Sequence, residues 1–415
     1  MNFTIIGIDD NGQQEFSREI LGLISSHTVF SGGKRHHGIV RPFLPEGYRW
    51  IDITVPLDNV FRQYEGEDEI VVFASGDPLF FGFANTIRKR LPEAGMRLYP
   101  YFNSLQILAH RLVLPYHDMH VVSLTGRPWY EFDRALIEGH EKIGLLTDEQ
   151  HSPDAIARRM LAYGYDNYRM HTGEILGNEN ERVRTLSPDE AIGQRFVAPN
   201  CVILQRTHAH PRPFGIPESE FELLDGRTRM ITKMPVRLLT LGMLDLRERH
   251  TLWDIGFCTG SVSIEAKLQF PHLQVVAFEQ RPEGEHLMKT NAARFGTPGI
   301  EVHIGDFTAT DLSGITPPDA VFIGGHGGKM EEIIYRLNEV IAPGGVIVFN
   351  SVSPESKELF IRGAARHGFS ITGEHRLAVD THNPIDIIQV TKSTYDYKNY
   401  KEITLYHTST KNISS

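Results

Sequence analysis

A glycine-bearing turn followed by a well-placed acid is the pattern in this sequence that best suits cofactor chemistry. The apolar residues 252–255 end at Gly256, and Glu279 comes directly after a second apolar run at residues 275–278. A glycine turn between a strand and a helix lets a ligand approach the backbone. A carboxylate at the end of the next strand can accept hydrogen bonds from both hydroxyls of a ribose. The spacing therefore predicts a site for an adenosine cofactor.

The residues of the turn favour one adenosine cofactor over another. The turn contains Gly256, Phe257, Cys258, Thr259 and Gly260. A dinucleotide-binding turn has a third glycine where the helix packs, in the pattern G-x-G-x-x-G. Here Val262 and Ser263 follow instead. A turn that does not hold a pyrophosphate suits S-adenosylmethionine (SAM) better than NAD, so the five turn residues and Glu279 are expected to bind SAM.

Two later segments of the same half follow predicted strands. Asp306 and Phe307 come after the strand predicted at residues 300–303 and would flank the adenine. The strand predicted at residues 320–323 ends in a loop of Gly324, Gly325, His326, Gly327 and Gly328. Ligands of open α/β sheets lie beyond the carboxyl ends of the strands, so this loop is expected to face the substrate. Its backbone N–H groups could bind an anion; the alternative is a flexible turn with His326 at the surface.

The N-terminal half has one comparable turn. The apolar residues 70–74 run into Ser75-Gly76-Asp77-Pro78, with aromatic residues and a predicted helix after them. No Gly-Lys-Ser/Thr follows, which excludes a phosphate loop. Spacing alone indicates a tight structural turn carrying one acid.

Composition limits the class of protein. The chain has 415 residues, 40% hydrophobic and 23% charged, and no run approaches the ~20 apolar residues of a membrane span. Two cysteines without a CxxC pair argue against a disulfide framework and a metal site. The formal charge of -10 argues against a nucleic-acid surface, and the basic stretch at residues 34–37 is interpreted as a solvated surface. A soluble, cytoplasmic, homo-oligomeric protein is expected.

Alternating predicted strands and helices indicate an α/β protein, largely parallel in its first half. Prolines at 199, 211, 213 and 217 mark a boundary near residue 209. We expect a first domain at 1–208, a linker at 209–229, a second domain at 230–392 and a polar tail at 393–415. The tail could contain a strand at residues 403–406, and a turn is predicted at residues 382–384.

Several segments resemble one family of enzymes. Residues 75–82 and 100–106 are similar to two conserved loops of the tetrapyrrole methylase fold, and residues 121–127 and 145–148 to strands of its C5-methyltransferase branch. Residues 230–237, 252–256 and 319–325 resemble the C15-methyltransferase/decarboxylase of the same pathway. The whole, over about residues 1–395, resembles the fused bifunctional precorrin-6Y C5,15-methyltransferases (decarboxylating) of cobalamin biosynthesis.

This resemblance implies a fold, an activity and further site residues. The fold would be a tetrapyrrole methylase fold of two α/β subdomains, followed by a Rossmann-like seven-stranded SAM-dependent methyltransferase domain that ends in a hairpin. The activity would be methylation of a precorrin at C5 and C15 with decarboxylation of its C12 acetate, using two SAM sites and no metal. Asp77, Phe80 and Ser104 would lie around SAM in the first domain, and Thr232 and Phe307 would join the second site. His326 is the candidate proton donor.

Two departures from the family pattern and two alternative functions remain. Only Gly7 matches the Gly-x-Gly turn that usually ends the first strand, and Cys258 replaces the middle glycine of the second-domain turn. A side chain at Cys258 would narrow the cofactor site unless its φ is negative.

An RNA methyltransferase shares the glycine turn and the acid. A SAM-binding module without turnover is the alternative from a different class.

Overall fold

The computed structural model describes residues 1–379 and 384–393. Two compact units divide the chain between residues 210 and 211. The predicted turn at residues 382–384 lies largely outside the described residues, as does the strand suggested at 403–406. Within the described ranges no helix combines the length and apolar character that crossing a membrane requires.

The first unit contains ten strands and eight α-helices within its described residues. The strands are β1 (Asn2–Ile8), β2 (Val29–Gly32), β3 (Arg49–Asp52), β4 (Glu69–Ser75), β5 (Gly95–Tyr99), β6 (His120–Ser123), β7 (Lys142–Leu146), β8 (Tyr168–Glu174), β9 (Arg182–Leu186) and β10 (Asn200–Arg206). The helices are α1 (Arg18–Ser26), α2 (Lys34–Val40), α3 (Asp58–Tyr64), α4 (Phe83–Arg90), α5 (Ser104–Leu112), α6 (Tyr130–Glu138), α7 (Pro153–Ala162) and α8 (Pro188–Ala191).

The first sheet of this unit is parallel throughout, in the order β3-β2-β4-β1-β5. Its central strands β1 and β4 are apolar runs buried on both faces, as parallel sheets covered by helices require. Ile5, Ile6 and Val72 are fully buried there. This arrangement brings the carboxyl ends of β1 and β4, where Gly7 and Ser75 lie, to the same edge.

The second sheet departs from the largely parallel arrangement expected for this half. Its order is β6-β7-β10-β8-β9, and only β6 and β7 pair in parallel. One cause of this antiparallel pairing is the β8–β9 hairpin, which no apolar pattern in the sequence predicts. Polar residues such as His171 and Thr172 are buried in β8, so no continuous apolar run marks that strand.

The second unit contains seven strands and five α-helices within its described residues. The strands are β11 (Thr251–Ile255), β12 (Gln274–Glu279), β13 (Ile300–Ile304), β14 (Ala320–Ile323), β15 (Val346–Ser351), β16 (Phe369–Leu377) and β17 (Ile385–Lys392). The helices are α9 (Met234–Met243), α10 (Ser261–Gln269), α11 (Glu283–Arg294), α12 (Met330–Val340) and α13 (Pro354–Arg366).

The second unit is built on one seven-stranded sheet in the order β13-β12-β11-β14-β15-β17-β16. Strands β11 to β15 pair in parallel, while β17 runs antiparallel to both β15 and β16. Strand order reverses at β11, between β12 and β14. This reversal is the topological switch point at which open α/β sheets form their ligand crevice.

The segment expected to be a linker packs into the second unit from residue 211 onward. Ile216 and Phe221 are buried, and the backbone N–H of Glu222 donates to Asn291 Oδ1 at 2.7 Å. The prolines keep this backbone extended, as predicted from X-Pro sterics. An extended chain can still bury alternate side chains, so proline content alone does not distinguish a linker from a packed strap.

Candidate active sites

A cavity of about 530 Å³ opens at the carboxyl ends of the parallel strands of the second unit. Its walls come from the segments that follow β11, β12, β13 and β14, and from residues 229–233. Most residues of the predicted C-terminal site line it: Thr232, Gly256, Phe257, Cys258, Glu279, Asp306, Phe307, Gly324, Gly325, His326 and Gly327. The strand ends therefore converge on one chamber at the switch point.

Gly256 holds the β11 turn against the β14 turn. Its φ is 77°, and a Cβ there would lie 2.7 Å from the backbone nitrogen and oxygen of Gly325. The N–H of Gly324 donates to the carbonyl of Ile255 at 2.8 Å. No side chain fits between two backbones this close, so glycine is required at this position.

Glu279 is the buried acid of the cavity. It is 3% exposed, and Oε2 accepts from the backbone N–H of Cys258 at 2.9 Å. Its Oε1 accepts from the backbone N–H of Arg281 at 2.9 Å and from the Arg281 guanidinium at 3.1 Å. The Arg281 side chain is 40% exposed. A carboxylate has about four acceptor sites, and these three hydrogen bonds leave Glu279 one for a ribose hydroxyl; a second becomes available when the Arg281 guanidinium is displaced.

Cys258 adopts a backbone conformation unusual for a residue with a side chain. Its φ is 51°, in the left-handed region, so the negative φ that would ease a side chain there is not found. The thiol side chain lines the cavity. Burial, with a smaller contribution from the charge of Glu279, raises the pKa of Cys258 to about 11. The thiol is therefore protonated at neutral pH.

Asp254 lies beneath the turn and was not singled out from the sequence. It is fully buried, and its Oδ2 accepts from the N–H and the hydroxyl of Ser263 at 3.2 and 2.6 Å. Its Oδ1 has no hydrogen-bond partner within the part of the chain that the structure describes. Burial raises the pKa of Asp254 to about 7. The carboxyl ties β11 to the first turn of α10 and so supports the glycine turn from below.

The segment after β13 supplies a charged and an aromatic wall. Asp306 Oδ1 accepts from the N–H and hydroxyl of Thr308, and Oδ2 forms an ion pair with Lys329 at 2.5 Å. Its bonds to Lys329 and Thr308 lower the pKa of Asp306 to about 2. Phe307 is buried against Trp253 and Phe278. Asp306 is thus ionised and already paired at neutral pH.

His326 lies in the glycine loop and is held by two contacts. Its Nδ1 accepts from the N–H of Gly328 at 3.2 Å, which leaves Nε2 to face the Ser356 hydroxyl at 3.3 Å. Burial lowers the pKa of His326 below its usual value. The ring is therefore neutral at pH 7, with its proton on Nε2.

Three predicted residues do not line this cavity: Thr259, Gly260 and Gly328. The carbonyl of Thr259 accepts from Asn291 Nδ2 at 2.9 Å, and Gly260 is the N-cap of α10 with a φ of 76°. Thr259 and Gly260 therefore belong to the turn, and Gly328 to the loop, without lining the cavity. A motif names consecutive residues, but only those before Thr259 in the turn and before Gly328 in the loop reach the cavity.

The wall at residues 229–233 is a feature that the sequence analysis missed, apart from Thr232. Arg237 anchors it: the guanidinium donates to the carbonyls of Thr232 and Ile216, and pairs with Glu265. Arg237 and Glu265 are both fully buried. A buried charge needs partners, and these contacts supply them while fixing the backbone next to Lys233.

A second cavity, of about 410 Å³, lies between the two sheets of the first unit. Phe80 and Ser104, predicted to lie around a cofactor, line it. Asp77 is not among the lining residues; its Oδ1 accepts from the N–H of Leu79 at 2.9 Å and closes its own turn. A Cβ on Gly7 would lie 1.9 Å from the carbonyl oxygen of Gly76. Gly7 therefore permits the close approach of β1 to the turn after β4.

The interpretation of residues 34–37 as a solvated surface is wrong for His36, while Arg35 is exposed but also lines a cavity. Arg35 and His36 line this second cavity, where both contact the Ser75 hydroxyl, at 3.0 and 2.9 Å. Arg35 also pairs with Asp10 at 3.3 Å. Burial, and to a lesser extent the charge of Arg35, lowers the pKa of His36 to about 4. Helix α2 begins beside the carboxyl end of β4, a tertiary neighbour that a basic run does not reveal.

The fold and the C-terminal cavity are typical of an α/β methyltransferase. Residues 224–402 match the family model described as a precorrin methyltransferase domain. A Sinorhizobium sp protein named precorrin-6Y C(5,15)-methyltransferase [decarboxylating] is 31% identical over 372 residues, which is 89% of each chain. The chain belongs to this family of bifunctional precorrin-6Y C(5,15)-methyltransferases.

Two shorter relatives of Salmonella typhimurium match parts of the chain. A cobalt-precorrin-6B C(15)-methyltransferase (decarboxylating) is 40% identical over 133 residues, 32% of this chain and 68% of the relative. A cobalt-precorrin-7 C(5)-methyltransferase is 30% identical over 203 residues, 48% of this chain and 98% of the relative. Separate relatives for the C5 and C15 reactions are what a fusion of two enzymes predicts.

Proposed function

We propose that the chain methylates a precorrin at C5 and C15 and releases carbon dioxide from its C12 acetate. The observation that carries this proposal is the C-terminal cavity, where the buried Glu279 faces the turn at Gly256–Cys258 and the glycine-rich loop at residues 324–328 forms another wall. Family membership over 89% of the chain supplies the substrate class and the second reaction.

The residues of the C-terminal cavity fit SAM. Glu279 would accept from two ribose hydroxyls when the ligand displaces the Arg281 guanidinium, and Phe307 is an aromatic residue lining the same cavity. Val262, in the first turn of α10, also lines the cavity. When bound, SAM supplies a methyl group carried on a sulfonium.

Methyl transfer needs positioning more than it needs a reactive side chain. The protein has to hold the acceptor carbon in line and near ~3–3.5 Å from the methyl group. Gly324, Gly325 and Gly327 leave the end of β14 open for a flat macrocycle to approach. The electron-rich carbon of the substrate is itself the nucleophile, so no activated serine or cysteine is required.

Decarboxylation breaks the bond between the acetate methylene and its carboxyl carbon. The electron pair passes into the conjugated macrocycle, and the methylene gains a proton to become a methyl group. His326 is the proposed proton donor because it lines the cavity beside the glycine loop. Its lowered pKa leaves it neutral at pH 7, so the rate gain it provides is smaller than that of a histidine with a pKa near 7.

We further propose that the two reactions take place in two independent active sites, each with its own SAM. The first, with a tetrapyrrole methylase fold, would occupy residues 1–208 and carry out C5 methylation. Phe80 and Ser104 would contact its cofactor, and Asp77 would hold the turn next to them. The second, Rossmann-like, would occupy residues 230–392 and carry out C15 methylation and decarboxylation. A cytoplasmic homo-oligomer stays a prediction.

Incubation of the purified chain with SAM carrying a labelled methyl group and a precorrin tests the function. The product should gain two labelled methyl groups and lose one carbon dioxide by mass spectrometry, with a change in the absorbance of the macrocycle. Methyl transfer to RNA instead, or tight SAM binding without any product, would refute the proposal.

A further inference from the structure

The charges that line the C-terminal cavity do not balance. Six charged side chains line it: Arg229, Lys233, Glu279, Arg281, Asp306 and Lys329. Four of them are cations and two are carboxylates. The chain as a whole carries a formal charge of -10. An excess of positive charge in one chamber of an acidic protein favours an anionic ligand there.

Two of the cations are already paired. Arg281 contacts Glu279 at 3.1 Å, and Lys329 contacts Asp306 at 2.5 Å. Arg229 and Lys233 form no ion pair with any residue in the ranges 1–379 and 384–393. Arg229 is exposed, whereas Lys233 is only partly exposed. A partly buried cation without a partner loses solvation and gains nothing in return, unless a ligand supplies the opposite charge.

The backbone that carries Lys233 is fixed. Lys233 is the residue before α9, and its carbonyl accepts from the N–H of Arg237 at 2.8 Å. The preceding carbonyl, of Thr232, accepts from the Arg237 guanidinium at 2.7 Å. Because Arg237 is fully buried with Glu265, the origin of the Lys233 side chain is held in place. Only the flexible stem and its ammonium group remain to adapt to a ligand.

We infer that Lys233, assisted by Arg229, binds a peripheral carboxylate of the tetrapyrrole and so determines how the macrocycle enters the C15 site. This inference rests on the proposed function for its substrate class. The carboxylate bound is one that the product retains. An ammonium group beside the acetate that is lost would stabilise its carboxylate form and oppose the release of carbon dioxide.

The test compares Lys233→Met with Lys233→Arg and with a matched control, Lys289→Met, in the full-length chain. Lys289 is exposed on α11 and does not line the cavity. The dissociation constant of the precorrin is measured by absorbance titration at low and high salt, and that of SAM by calorimetry. Lys233→Met should weaken precorrin binding about tenfold at low salt and reduce its salt dependence. Lys233→Arg should restore most of the affinity.

Three results would overturn the inference. Precorrin affinity could be unchanged in Lys233→Met, or Lys289→Met could weaken it equally. Alternatively, Lys233→Met could weaken SAM binding, which would assign Lys233 to the methionyl carboxylate. Failure of the wild-type chain to transfer methyl groups would refute the proposed function, while the binding titrations would still decide the role of Lys233.

Discussion

The two cavities of this chain are assembled in different ways. In the second unit most of the walls follow strands of a single sheet, so most of the predicted site residues come just after an apolar run. In the first unit the cavity lies between two sheets, and its walls come from the turns after β1 and β4 and from strands of the mixed sheet. A site at one sheet edge can be located from sequence spacing, whereas a site between two sheets depends on how they pack.

The largest expected effects come from two glycine substitutions, one at each cavity, each of which should stop only one of the two methylation reactions. Gly7→Ala should abolish C5 methylation and leave C15 methylation intact, because its Cβ would meet the Gly76 carbonyl. Gly256→Ala should abolish C15 methylation and decarboxylation alone, since its Cβ would meet Gly325. Each affected rate should fall at least ~100-fold, as displacement of a site by about 1 Å does. Mass spectrometry of the product reports each reaction.

The controls for this pair are Gly12→Ala and Gly242→Ala, where a Cβ meets nothing within 4 Å. Both should retain full activity. If either site variant, still folded, lost both methyl transfers, the two cavities would not be independent.

The second-largest expected effect concerns Glu279, the buried acid of the C-terminal cavity. Glu279→Ala removes the acceptor proposed for both ribose hydroxyls, and hydrogen bonds to charged groups contribute about 1.5–3 kcal/mol each. One of two SAM-binding events should weaken about 100-fold by calorimetry, and the other should be unchanged. Glu283→Ala, on the exposed start of α11, is the control. An isotherm identical to the wild type would exclude Glu279 from the cofactor site.

The pH dependence of stability should differ in sign between the two units. The pKa of Asp254 is raised in the folded state to about 7, so its ionisation destabilises the fold as pH rises from about 4 to about 7. The loss is at most about 4 kcal/mol for a shift of about three pKa units. Asp254→Asn should remove this slope in thermal denaturation. The exposed Asp225→Asn should keep it.

His36 should give the first unit the opposite slope. Its pKa is lowered to about 4, so the unfolded state binds a proton before the folded state does. Stability is then lost as pH falls from about 6.5 toward 4, and His36→Gln should reduce that loss. Equal slopes for the wild type and both variants would contradict these two environments.

The smallest expected effect concerns His326. His326→Ala should slow carbon dioxide release about tenfold and C15 methylation less, because only the minor protonated fraction of a histidine with a lowered pKa can donate the proton. Decarboxylation by the wild type should fall as pH rises through the lowered pKa of His326. Quantifying carbon dioxide and methylated product separately distinguishes the two rates. An equal fall in both would mean that the loop only positions the substrate.

The sequence predicted most of the residues that line the C-terminal cavity because their positions depend on local features. Strands β11 and β14 begin and end where their apolar runs predict, and Glu279 follows from its distance to Gly256. Apart from Thr232, the wall at residues 229–233 was not predicted, since its position depends on the buried Arg237–Glu265 pair across the fold.

The first unit was harder to predict because its structure also depends on contacts between residues distant in sequence. Strand β8 buries Glu174, which pairs with Arg184 on β9 at 2.9 Å. A buried acid breaks the apolar pattern that marks a strand, and its partner is recognisable only after the hairpin forms. Arg35 and His36 likewise gain their role only when α2 meets β4.

The environment of Cys258, whose backbone lies in the left-handed region, affects how well the enzyme resists alkylation by its own cofactor. A sulfonium that can methylate carbon can also alkylate a nearby thiolate, and this thiol lines the chamber proposed to hold it. With a pKa of about 11, only about one Cys258 in ~10⁴ is ionised at pH 7. The same burial that lets Glu279 serve the cofactor therefore protects the turn from self-methylation. Prolonged incubation with SAM should leave Cys258 unmodified in the mass spectrum of the protein.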